Sequence, residues 1–511
     1  MSVESGDTNL GKVVSCLVNL LAWGLCAYLG AASGGCRAPA PALTFPRQPL
    51  STSPLQRWYD TNHDGKADFA LTRRDDSLPF DTIEYDDDQD GRCDRIYRLG
   101  DYDPDRVPHL LIMLDSIPYQ AVADRYQRGG FCWFPPPQKV IAPFPSMTEL
   151  CFTQILHAPP LLGMIDDGYD RRTHQYNSGI RDRIIGYQQP WEYRCHYAAP
   201  YWENGIAYLR PRVLFHAELK RVREVFERSP DRSTRVYFVS TSGMLGRYGQ
   251  QGLDEVLDEI ERLCLQLVFE REGAIKISIC SDHGHNLVPS TNIQFDEVLK
   301  QAGFRVTERL RKANDVVIDR DGLVTYLGIH TYRPAEVADA ILTRPEVELV
   351  AYLQQDRAIV RDHRGEAAIE YRDGRYRYTP ITADVLGYEG VFQALRSQGK
   401  VDADGFIADA DWFAATVDAP FPDAPHRLWQ AFHGMSISPP AVMITLRDGY
   451  CSGYVMFSRI VDMRSTHGGL NQINSAAFVL SMTGRANRPL RSREIIPTIE
   501  PPPDRPARLP R

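Results

Sequence analysis

The short stretch Ser281-Asp282-His283-Gly284-His285 carries residue types that could do chemistry. It follows residues 274–280, an apolar and partly β-branched run that predicts a buried strand. Asp282 and His283 would therefore emerge at the carboxyl end of a strand, the edge at which open α/β sheets bind ligands. A neighbouring carboxylate and imidazole can both ligate a divalent cation such as zinc. A lone Asp-His pair is more often a turn beside a solvated histidine, so the prediction depends on partners elsewhere in the chain.

Three further places combine the end of a predicted element with a reactive residue. Residues 109–114 predict a strand, and Asp115 follows its last residue. The prolines before Thr148 end just as a helical pattern begins, so the Thr148 hydroxyl is predicted to lie at a helix N-terminus. Backbone amides and the helix dipole favour an anion at such a position. Such a hydroxyl is commonly a cap, but it can be a nucleophile if a metal lowers its pKa. His467 lies shortly before the apolar run at 476–480.

Alternating strand and helix patterns organise the middle of the chain. The strand pattern at 235–240 lies between amphipathic helix patterns at 210–228 and 250–272. This alternation predicts an α/β fold with a mostly parallel sheet covered on both faces. Alternation around an Asp-Gly pair at 368–378 predicts a hairpin, and residues 355–430 are predicted to form a small inserted α+β subdomain.

The order and spacing of the reactive residues resemble the alkaline phosphatase superfamily, and most closely its type I phosphodiesterase/nucleotide pyrophosphatase group. The resemblance covers residues 107–485 and implies a three-layer core. It also implies two zinc ions flanking a Thr or Ser nucleophile, which attacks a phosphoester and forms a phospho-enzyme that water hydrolyses. The motifs are Leu111-Ile112-Met113-Leu114-Asp115, Pro145-Ser146-Met147-Thr148, Ser281-Asp282-His283-Gly284 and Thr466-His467-Gly468.

The resemblance also assigns roles to these residues. It implies that Asp115, Thr148, Asp282 and His283 form the metal site that activates the nucleophile, with Thr148 as the catalytic residue. His467 corresponds to one ligand of the second metal site.

The second metal site departs from the family pattern. Its other ligands should be an Asp and a His four residues later, and Ser242 and Gly246 stand at those positions. One histidine and one hydroxyl are too few to hold zinc in four-coordinate geometry. We therefore expect one zinc or other divalent ion, and a second metal is doubtful.

Three explanations fit this degenerate site. A one-metal enzyme could use Arg247 or His285 as auxiliary groups, because a guanidinium suits phosphate, although a surface arginine and a loop histidine are the commoner roles. A pseudoenzyme would keep one metal to bind a ligand or hold structure. The third explanation is that the alignment of this segment with the family pattern is wrong and that another acid, such as Asp254, reaches the site. Asp254 lies in a helical pattern, however, which favours a solvated acid on a helix surface. Cys151 stands where the family usually has an Asn that contacts phosphate, and a thiol is a weak donor. A sulfatase is a weaker alternative, because it would need a modifiable Cys or Ser in place of Thr148.

Two similar acidic loops precede the main domain. Each alternates oxygen-bearing side chains and has a Gly at the sharp turn, as in loops that wrap calcium. Neither has a Glu at the twelfth position, so they resemble the short Asp-rich repeats of extracellular proteins; solvated acidic turns are the alternative. The predicted calcium ligands are Asp60, Asn62, Asp64 and Asp68 in the first loop and Asp86, Asp88, Asp90 and Asp94 in the second.

The N-terminal residues 13–32 form an almost entirely apolar run that is followed by small residues and Cys36. This pattern resembles a bacterial lipoprotein signal with Cys36 as the acylated residue. The run is also long enough to span a bilayer uncleaved. Either interpretation exports the rest of the chain and tethers it to a membrane, which predicts a cell-envelope protein.

Composition and domain boundaries complete the prediction. The net charge of −8 argues against a nucleic-acid-binding protein, because phosphate backbones need a basic surface. The ten cysteines include no Cys-x-x-Cys pair and no readable disulfide framework. The predicted parts are an anchor at 1–36, a linker with the calcium loops at 37–104, a main domain at 105–354 and 431–490, the inserted subdomain at 355–430 and a disordered Pro/Arg-rich tail at 491–511.

These features predict an exported, membrane-anchored, metal-dependent phosphoesterase that acts on a small phosphoester. The alternatives are a catalytically impaired pseudoenzyme and a calcium-dependent envelope binding or scaffold protein. The sequence favours no particular oligomeric state or substrate.

Overall fold

The central sheet has six strands, five of which run in the same direction while Ala476–Ser481 is antiparallel to both of its neighbours. Every residue of His109–Leu114 is buried, as expected for a strand that is covered on both faces. The predicted α/β class with a mostly parallel sheet is therefore confirmed. The order across the sheet is Ser233–Phe238, His109–Leu114, Lys276–Ser281, Ala476–Ser481, Gln138–Ile141 and Leu490–Arg491.

The computed structural model of the protein describes residues 43–102, 106–165, 168–177, 188–229, 233–320 and 322–500. From Leu43 onward, the described residues belong to one compact unit. Within them, no helix has both the length and the apolar character needed to cross a bilayer. The predicted anchor at 1–36 lies outside the described residues.

The helices cover the central sheet with apolar faces. The stripe predicted on Gln250–Glu270, from Leu253 to Leu267, is buried as a core face. On one side of the sheet, Phe152 and Leu214 pack in a cluster with Met113. The helices of the described residues are Tyr119–Gln127, Thr148–Ile155, Tyr201–Leu209, Pro211–Arg228, Ser240–Tyr248, Gln250–Glu270, Asp296–Gln301, Pro334–Ile341, Glu389–Ser397, Asp409–Thr416, Ala424–Phe432, Val455–Ile460, Gln472–Ser475 and Ile495–Ile499.

A second, nine-stranded sheet contains the predicted insertion. The hairpin turn at Asp373-Gly374 has positive φ at both residues, which is the type I′ geometry that Asp-Gly favours. The sheet begins at residue 305 and includes the strand Val442–Leu446, so the predicted boundaries at 355 and 430 fall inside it. Strand periodicity shows that a segment is extended, but it does not show which sheet the strand joins. The order is Arg305–Val306, Asp315–Asp319, Tyr326–Thr331, Val442–Leu446, Val347–Gln354, Arg357–Asp362, Gly365–Arg372, Arg375–Pro380 and Ile407–Ala408.

The N-terminal part that was predicted as a linker with two loops is a five-stranded antiparallel meander. Its aromatic residues Phe45, Phe69 and Tyr85 pack around Phe269 of the helix Gln250–Glu270. Both acidic loops connect strands of this sheet. The strands are Ser51–Thr52, Gln56–Tyr59, Phe69–Thr72, Thr82–Tyr85 and Arg95–Arg98.

Smaller sheets join Gly168–Asp170 with Gln175–Asn177, and Thr291–Asn292 with Tyr450–Gly453 and Leu323–Val324. Seven cysteines lie among the described residues, and all seven are free thiols.

The prediction that residues 491–511 form a disordered tail is wrong for its first part. A 3₁₀ turn at Ser492–Glu494 leads into the helix Ile495–Ile499. Ile495 and Ile499 are buried against the central sheet. The Arg491 guanidinium donates hydrogen bonds to the carboxylates of Asp409 and Asp423. The few isoleucines among prolines and arginines gave too weak a periodic signal to predict this packing. Residues 501–511 lie outside the described part.

Candidate active site

Two adjacent parallel strands bring Asp115 and Asp282 together. Leu114 is opposite Ser281 in the register of the strands His109–Leu114 and Lys276–Ser281, so the next residue of each strand lies at the same edge. Ser116 has a positive φ of 68°, and this turn directs its backbone N–H to Asp282 Oδ1 at 2.9 Å. The two carboxylates are therefore held side by side in the interior.

Thr148 faces this pair of carboxylates from the start of the helix Thr148–Ile155. Its Oγ1 lies 3.4 Å from Asp115 Oδ1 and 3.3 Å from His283 Nε2. Met147, the N-cap residue, provides no side-chain hydrogen bond to the first turn. A helix N-terminus favours an anion, which would lie beside this hydroxyl.

The His283 ring places the lone pair of its Nε2 atom beside the Thr148 hydroxyl. Its Nδ1 donates to the Gly284 carbonyl oxygen at 2.9 Å, so the neutral ring carries its proton there and Nε2 is an acceptor. Asp282 Oδ2 is fully buried and has no hydrogen-bond partner among the described residues; its neighbour at 3.3 Å is this unprotonated Nε2. An orphaned carboxylate oxygen beside an imidazole lone pair is a donor set that fits a divalent cation.

The electrostatics of the three residues agree with that fit. Burial raises the pKa of Asp282 to about 7, and burial together with Asp282 raises the pKa of Asp115 well above its usual range. Burial also lowers the pKa of His283 to about 4. Ligand atoms of the three side chains lie within 4.8 Å of one another. Burial therefore favours the protonated carboxyl groups unless a cation offsets the cost of burying their ionised forms.

The position predicted for a second metal is occupied by aromatic and apolar side chains. Ser242 Oγ lies 3.0 Å from the Tyr208 hydroxyl and 3.3 Å from Ser116 Oγ. A Cβ atom on Gly246 would lie 3.4 Å from both the Tyr208 ring and the Met463 methyl group. A Cβ atom at Gly246 would therefore be in van der Waals contact with both side chains, which border the space that a ligand side chain at this position would enter.

The two other predicted histidines lie at the site. His467 stacks on His283 with ring centroids 4.1 Å apart, and its Nδ1 donates to the Ser146 carbonyl oxygen at 3.1 Å. His285 bonds Ser465 through Nδ1. Burial lowers the pKa of both rings well below the usual value, so both are neutral.

The cleft in front of Thr148 has a volume of about 180 Å³. Arg247 is half-buried in the last turn of the helix Ser240–Tyr248 and does not line the cleft. Asp254 is exposed and accepts a hydrogen bond from the Gln250 side chain, so it does not reach the site. Cys151 is buried within its helix. The lining residues are Asp115, Met147, Thr148, Glu149, Asn204, Tyr208, Tyr237, Val239, His285, Gly322, Leu323, Val324, Phe457, Met463 and His467.

Two residues that support the site gave no signal in the sequence. The Tyr237 hydroxyl donates to Asp115 Oδ2 at 2.7 Å and fixes that carboxylate. Arg427 is fully buried, and its guanidinium donates to the carbonyl oxygens of Pro143 at 3.2 Å and Leu470 at 2.9 Å and to Ser146 Oγ at 3.1 Å. A tyrosine in a strand and an arginine in an amphipathic helix are too common to be singled out.

Glu218 is a third supporting residue. It is fully buried, and its carboxylate accepts from the Val239 backbone N–H at 3.3 Å and the Ser240 N–H at 3.1 Å, at the start of the helix that carries Ser242. Burial raises the pKa of this carboxyl to about 8.

The raised pKa of Glu218 predicts a pH-dependent stability. Because the folded protein holds this proton up to about pH 8 while the unfolded chain releases it near 4.5, stability should fall as pH rises through that interval. Glu218→Gln should flatten this dependence and stabilise the protein at pH 8 by up to about 4 kcal/mol. Thermal unfolding midpoints of the wild-type and Glu218→Gln proteins, measured from pH 5 to 8, would test this prediction. If the midpoints of the two proteins change with pH in parallel, the prediction is wrong.

The two acidic loops have the same internal hydrogen bonds. In the first, the carboxylate of Asp60 accepts from the Asp64 and Gly65 backbone N–H groups at 3.1 and 2.8 Å. In the second, Asp86 accepts from the N–H groups of the corresponding residues 90 and 91 at 3.1 and 2.9 Å. Ligand atoms of Asp86, Asp88 and Asp94 lie within 4.8 Å of one another, which fits a cation.

Comparisons with known proteins identify structural likeness at low sequence identity. No protein-family model and no curated protein matches the chain. The chain is similar to the solved structure of human ectonucleotide pyrophosphatase/phosphodiesterase 5, with 12% identity and a TM-score of 0.41, covering 76% of this chain and 93% of that one. The chain is also similar to the murine protein of the same name, with 12% identity and a TM-score of 0.40, covering 76% of this chain and 92% of that one. The chain is also similar to phosphonoacetate hydrolase from Sinorhizobium meliloti 1021, with 10% identity and a TM-score of 0.39, covering 78% of this chain and 95% of that one.

Proposed function

We propose that the protein is a metal-dependent phosphoesterase of the phosphodiesterase/pyrophosphatase type, with Thr148 as its nucleophile. The observation that supports this proposal is the convergence of Asp115, Asp282 and His283 on the Thr148 hydroxyl, with Asp282 Oδ2 buried and unpartnered. A divalent cation, with zinc as the first choice, would neutralise the two carboxylates and lower the pKa of that hydroxyl.

The residues of the chain supply the remaining parts of the reaction. Thr148 Oγ1 would lose its proton to solvent, attack the phosphorus atom and displace one of the two ester oxygens, which leaves as an alcohol after taking up a proton. The threonyl phosphodiester that forms keeps the second substituent, and water then hydrolyses it to a phosphomonoester and regenerates Thr148. The positive N-terminal end of the helix Thr148–Ile155 would stabilise the phosphoryl oxygens. His467, held by Ser146, lies beside His283, and its unprotonated Nε2 can accept a hydrogen bond at the reacting group.

Metal content and turnover measured on the same protein would test this proposal. We expect close to one divalent ion per chain and hydrolysis of bis(4-nitrophenyl) phosphate. Thr148→Ala should reduce the rate to background, while Thr148→Ser should keep part of it. Thr153→Val is the matched control, because Thr153 lies on the same helix with a buried hydroxyl that has no partner. If the protein contains no metal and its rate does not exceed that of the Thr148→Ala variant, the proposal that it is an enzyme is refuted.

A second candidate is a pseudoenzyme that binds a phosphorylated ligand without cleaving it. It is favoured by the replacement of the second metal's ligands with Ser242 and Gly246 and by the filling of that space with Tyr208. One bound metal with ligand affinity but no turnover would support this candidate.

We further propose that the two acidic loops bind calcium and that the chain is exported and tethered to a membrane through residues 1–36. A structural ion in loops that join strands should stabilise the meander. Calcium should raise the thermal midpoint, and Asp60→Ala with Asp86→Ala should abolish that response without changing turnover. A response that the double variant retains would contradict the calcium sites.

A further inference from the structure

We propose that a cavity between the N-terminal meander and the helices Tyr119–Gln127 and Gln250–Glu270 binds a phosphate dianion, either free phosphate or the phosphate group of a small monoester. This cavity, called here the arginine cavity, has a volume of about 460 Å³, which lies within the range of small-molecule sites. The site is separate from Thr148, and its existence does not depend on the proposed phosphoesterase function.

The walls of the arginine cavity are basic. Five arginines of the described chain line it, together with the carboxylates of Asp258 and Glu261. Arg125 donates to Asp258 Oδ1 at 2.6 Å and to Glu261 Oε2 at 2.8 Å, and Glu261 Oε1 accepts from the Phe131 backbone N–H at 2.7 Å. Both acids therefore have donors within the protein. The five arginines are Arg47, Arg57, Arg125, Arg128 and Arg262.

The positive charges at the cavity exceed the negative ones. A third carboxylate, that of Glu259, forms ion pairs with Arg47 at 2.6 Å and with Arg262 at 3.2 Å. Within the described part of the chain, Arg57 and Arg128 have no carboxylate at ion-pair distance. Three carboxylates thus meet five guanidiniums, which leaves two positive charges. A phosphomonoester carries about −1.5 to −2 charges at pH 7, so one such group would balance this excess.

The Arg57 guanidinium is held in place without a counter-charge. It lies 5.3 Å from the centre of the Phe80 ring, and a Cβ atom on Gly129 would lie 2.5 Å from its Nη2. Gly129 has a φ of 90° and no side chain, so the backbone can approach the guanidinium closely. Arg57 Nε is buried and has no hydrogen-bond partner among the residues that the structure describes. An anion at the terminal nitrogens would offset the cost of burying this cation.

Arg128 faces the cavity from the end of the helix Tyr119–Gln127. It is the C-cap residue of this helix, its side chain is exposed, and Gly129 and Gly130 after it add no side chain to the wall. The helix starts shortly after Asp115 and has nine residues, so its last turn lies about 14 Å from its start. The arginine cavity and the cleft in front of Thr148 share no lining residue, so they are two sites.

A phosphate dianion fits the cavity better than other anions do. Each of two guanidiniums can form paired hydrogen bonds with the oxygens of one tetrahedral phosphate group, whereas a carboxylate carries one charge and two oxygens. The chain as a whole has a net charge of −8, so the basic walls are a local feature and not part of a generally basic surface.

Calorimetric titration with inorganic phosphate at pH 8 would test the inference. The wild-type protein should bind phosphate, and Asp282→Asn, which lacks the cation proposed beside Thr148, should retain this binding. Arg57→Met/Arg128→Met, added to Asp282→Asn, should weaken it by about tenfold or more, because two charge-assisted contacts are lost. Loss of phosphate binding in Asp282→Asn, or full affinity in the arginine variant, would overturn the site.

Ligands that differ in charge and substitution define what the cavity takes. Dimethyl phosphate is a tetrahedral monoanion and should bind about tenfold more weakly than phosphate or less tightly still. Equal binding of the two would overturn the selection of a dianion. Methyl phosphate separates the two sources of the group: tighter binding than that of phosphate assigns the site to a monoester, and weaker binding assigns it to free phosphate.

Matched controls separate the cavity from general surface charge and from folding. Arg74 is exposed and lies outside the cavity lining, so Arg74→Met should bind phosphate as the parent protein does. Arg57→Lys keeps a cation and should bind more tightly than Arg57→Met. If loss of the Phe80 contact unfolds the Arg57 variants, Arg128→Met alone should still weaken phosphate binding several-fold, and unchanged affinity in that variant would overturn the inference.

Discussion

Asp282→Asn is expected to remove the bound divalent cation and to lower phosphodiester turnover by roughly a thousand-fold. Its Oδ1 accepts backbone N–H groups from Ser116 and His283, which an amide oxygen can still do, while Oδ2 would be replaced by an NH₂ group that cannot ligate a cation. Metal-ion catalysis contributes several kcal/mol, and each ~1.4 kcal/mol is tenfold in rate. Metal analysis and initial rates would measure both effects.

The fold of this variant should survive, because a neutral amide replaces a carboxylate whose burial is costly. Without metal, its thermal midpoint should equal or exceed that of the wild-type protein. Asp319→Asn is the matched control: Asp319 is buried in the nine-stranded sheet, its Oδ1 is also unpartnered, and His330 holds the other oxygen at 3.0 Å. Equal metal loss in both variants, or full activity in Asp282→Asn, would refute the assigned site.

Arg427→Met should cause the largest loss of stability among single substitutions near the site. The variant would leave the buried carbonyl groups of Pro143, Pro422 and Leu470 and the Ser146 hydroxyl without the guanidinium that they now share. Each unsatisfied buried group costs about 1–3 kcal/mol, so a loss of at least about 3 kcal/mol in the free energy of unfolding is expected.

The same substitution should also impair the site, because Arg427 joins the loop before Thr148 to the loop after His467. Arg427→Lys should recover part of the stability, since an ammonium group can still donate to some of these oxygens. Arg364→Met is the control, because the side chain of Arg364 is 61% exposed. The idea fails if urea unfolding shows the same small change for Arg427→Met and Arg364→Met.

The sequence was most informative about residues at the ends of strands. Asp115 and Asp282 each follow an apolar run, and the parallel pairing of those runs in the structure brings the two residues together. Helical periodicity placed Thr148 at a helix start in the same way. These inferences work because local patterns determine where a strand or helix ends.

The parts of the site that the sequence did not predict depend on packing between distant segments. Tyr208 fills the space beside Ser242 from another helix, and Arg427 reaches Ser146 across 281 residues of chain. Leu490 joins the central sheet and Ile495 packs against it, although both lie in a Pro- and Arg-rich segment. Periodicity identifies a buried face but not its partner, so such contacts could not be predicted from the sequence alone.

The position of Ala476–Ser481 has a consequence for biosynthesis. This strand lies between Lys276–Ser281 and Gln138–Ile141, so the latter cannot join the sheet until the ribosome has made nearly the whole chain. Until then, both neighbours expose unpaired edges, which favour aggregation and recruit chaperones. The segment that leads to Thr148 follows Gln138–Ile141 directly, so Thr148, the nucleophile that we propose, is positioned last. A nascent chain arrested before residue 476 would therefore hold both aspartates in place yet remain inactive.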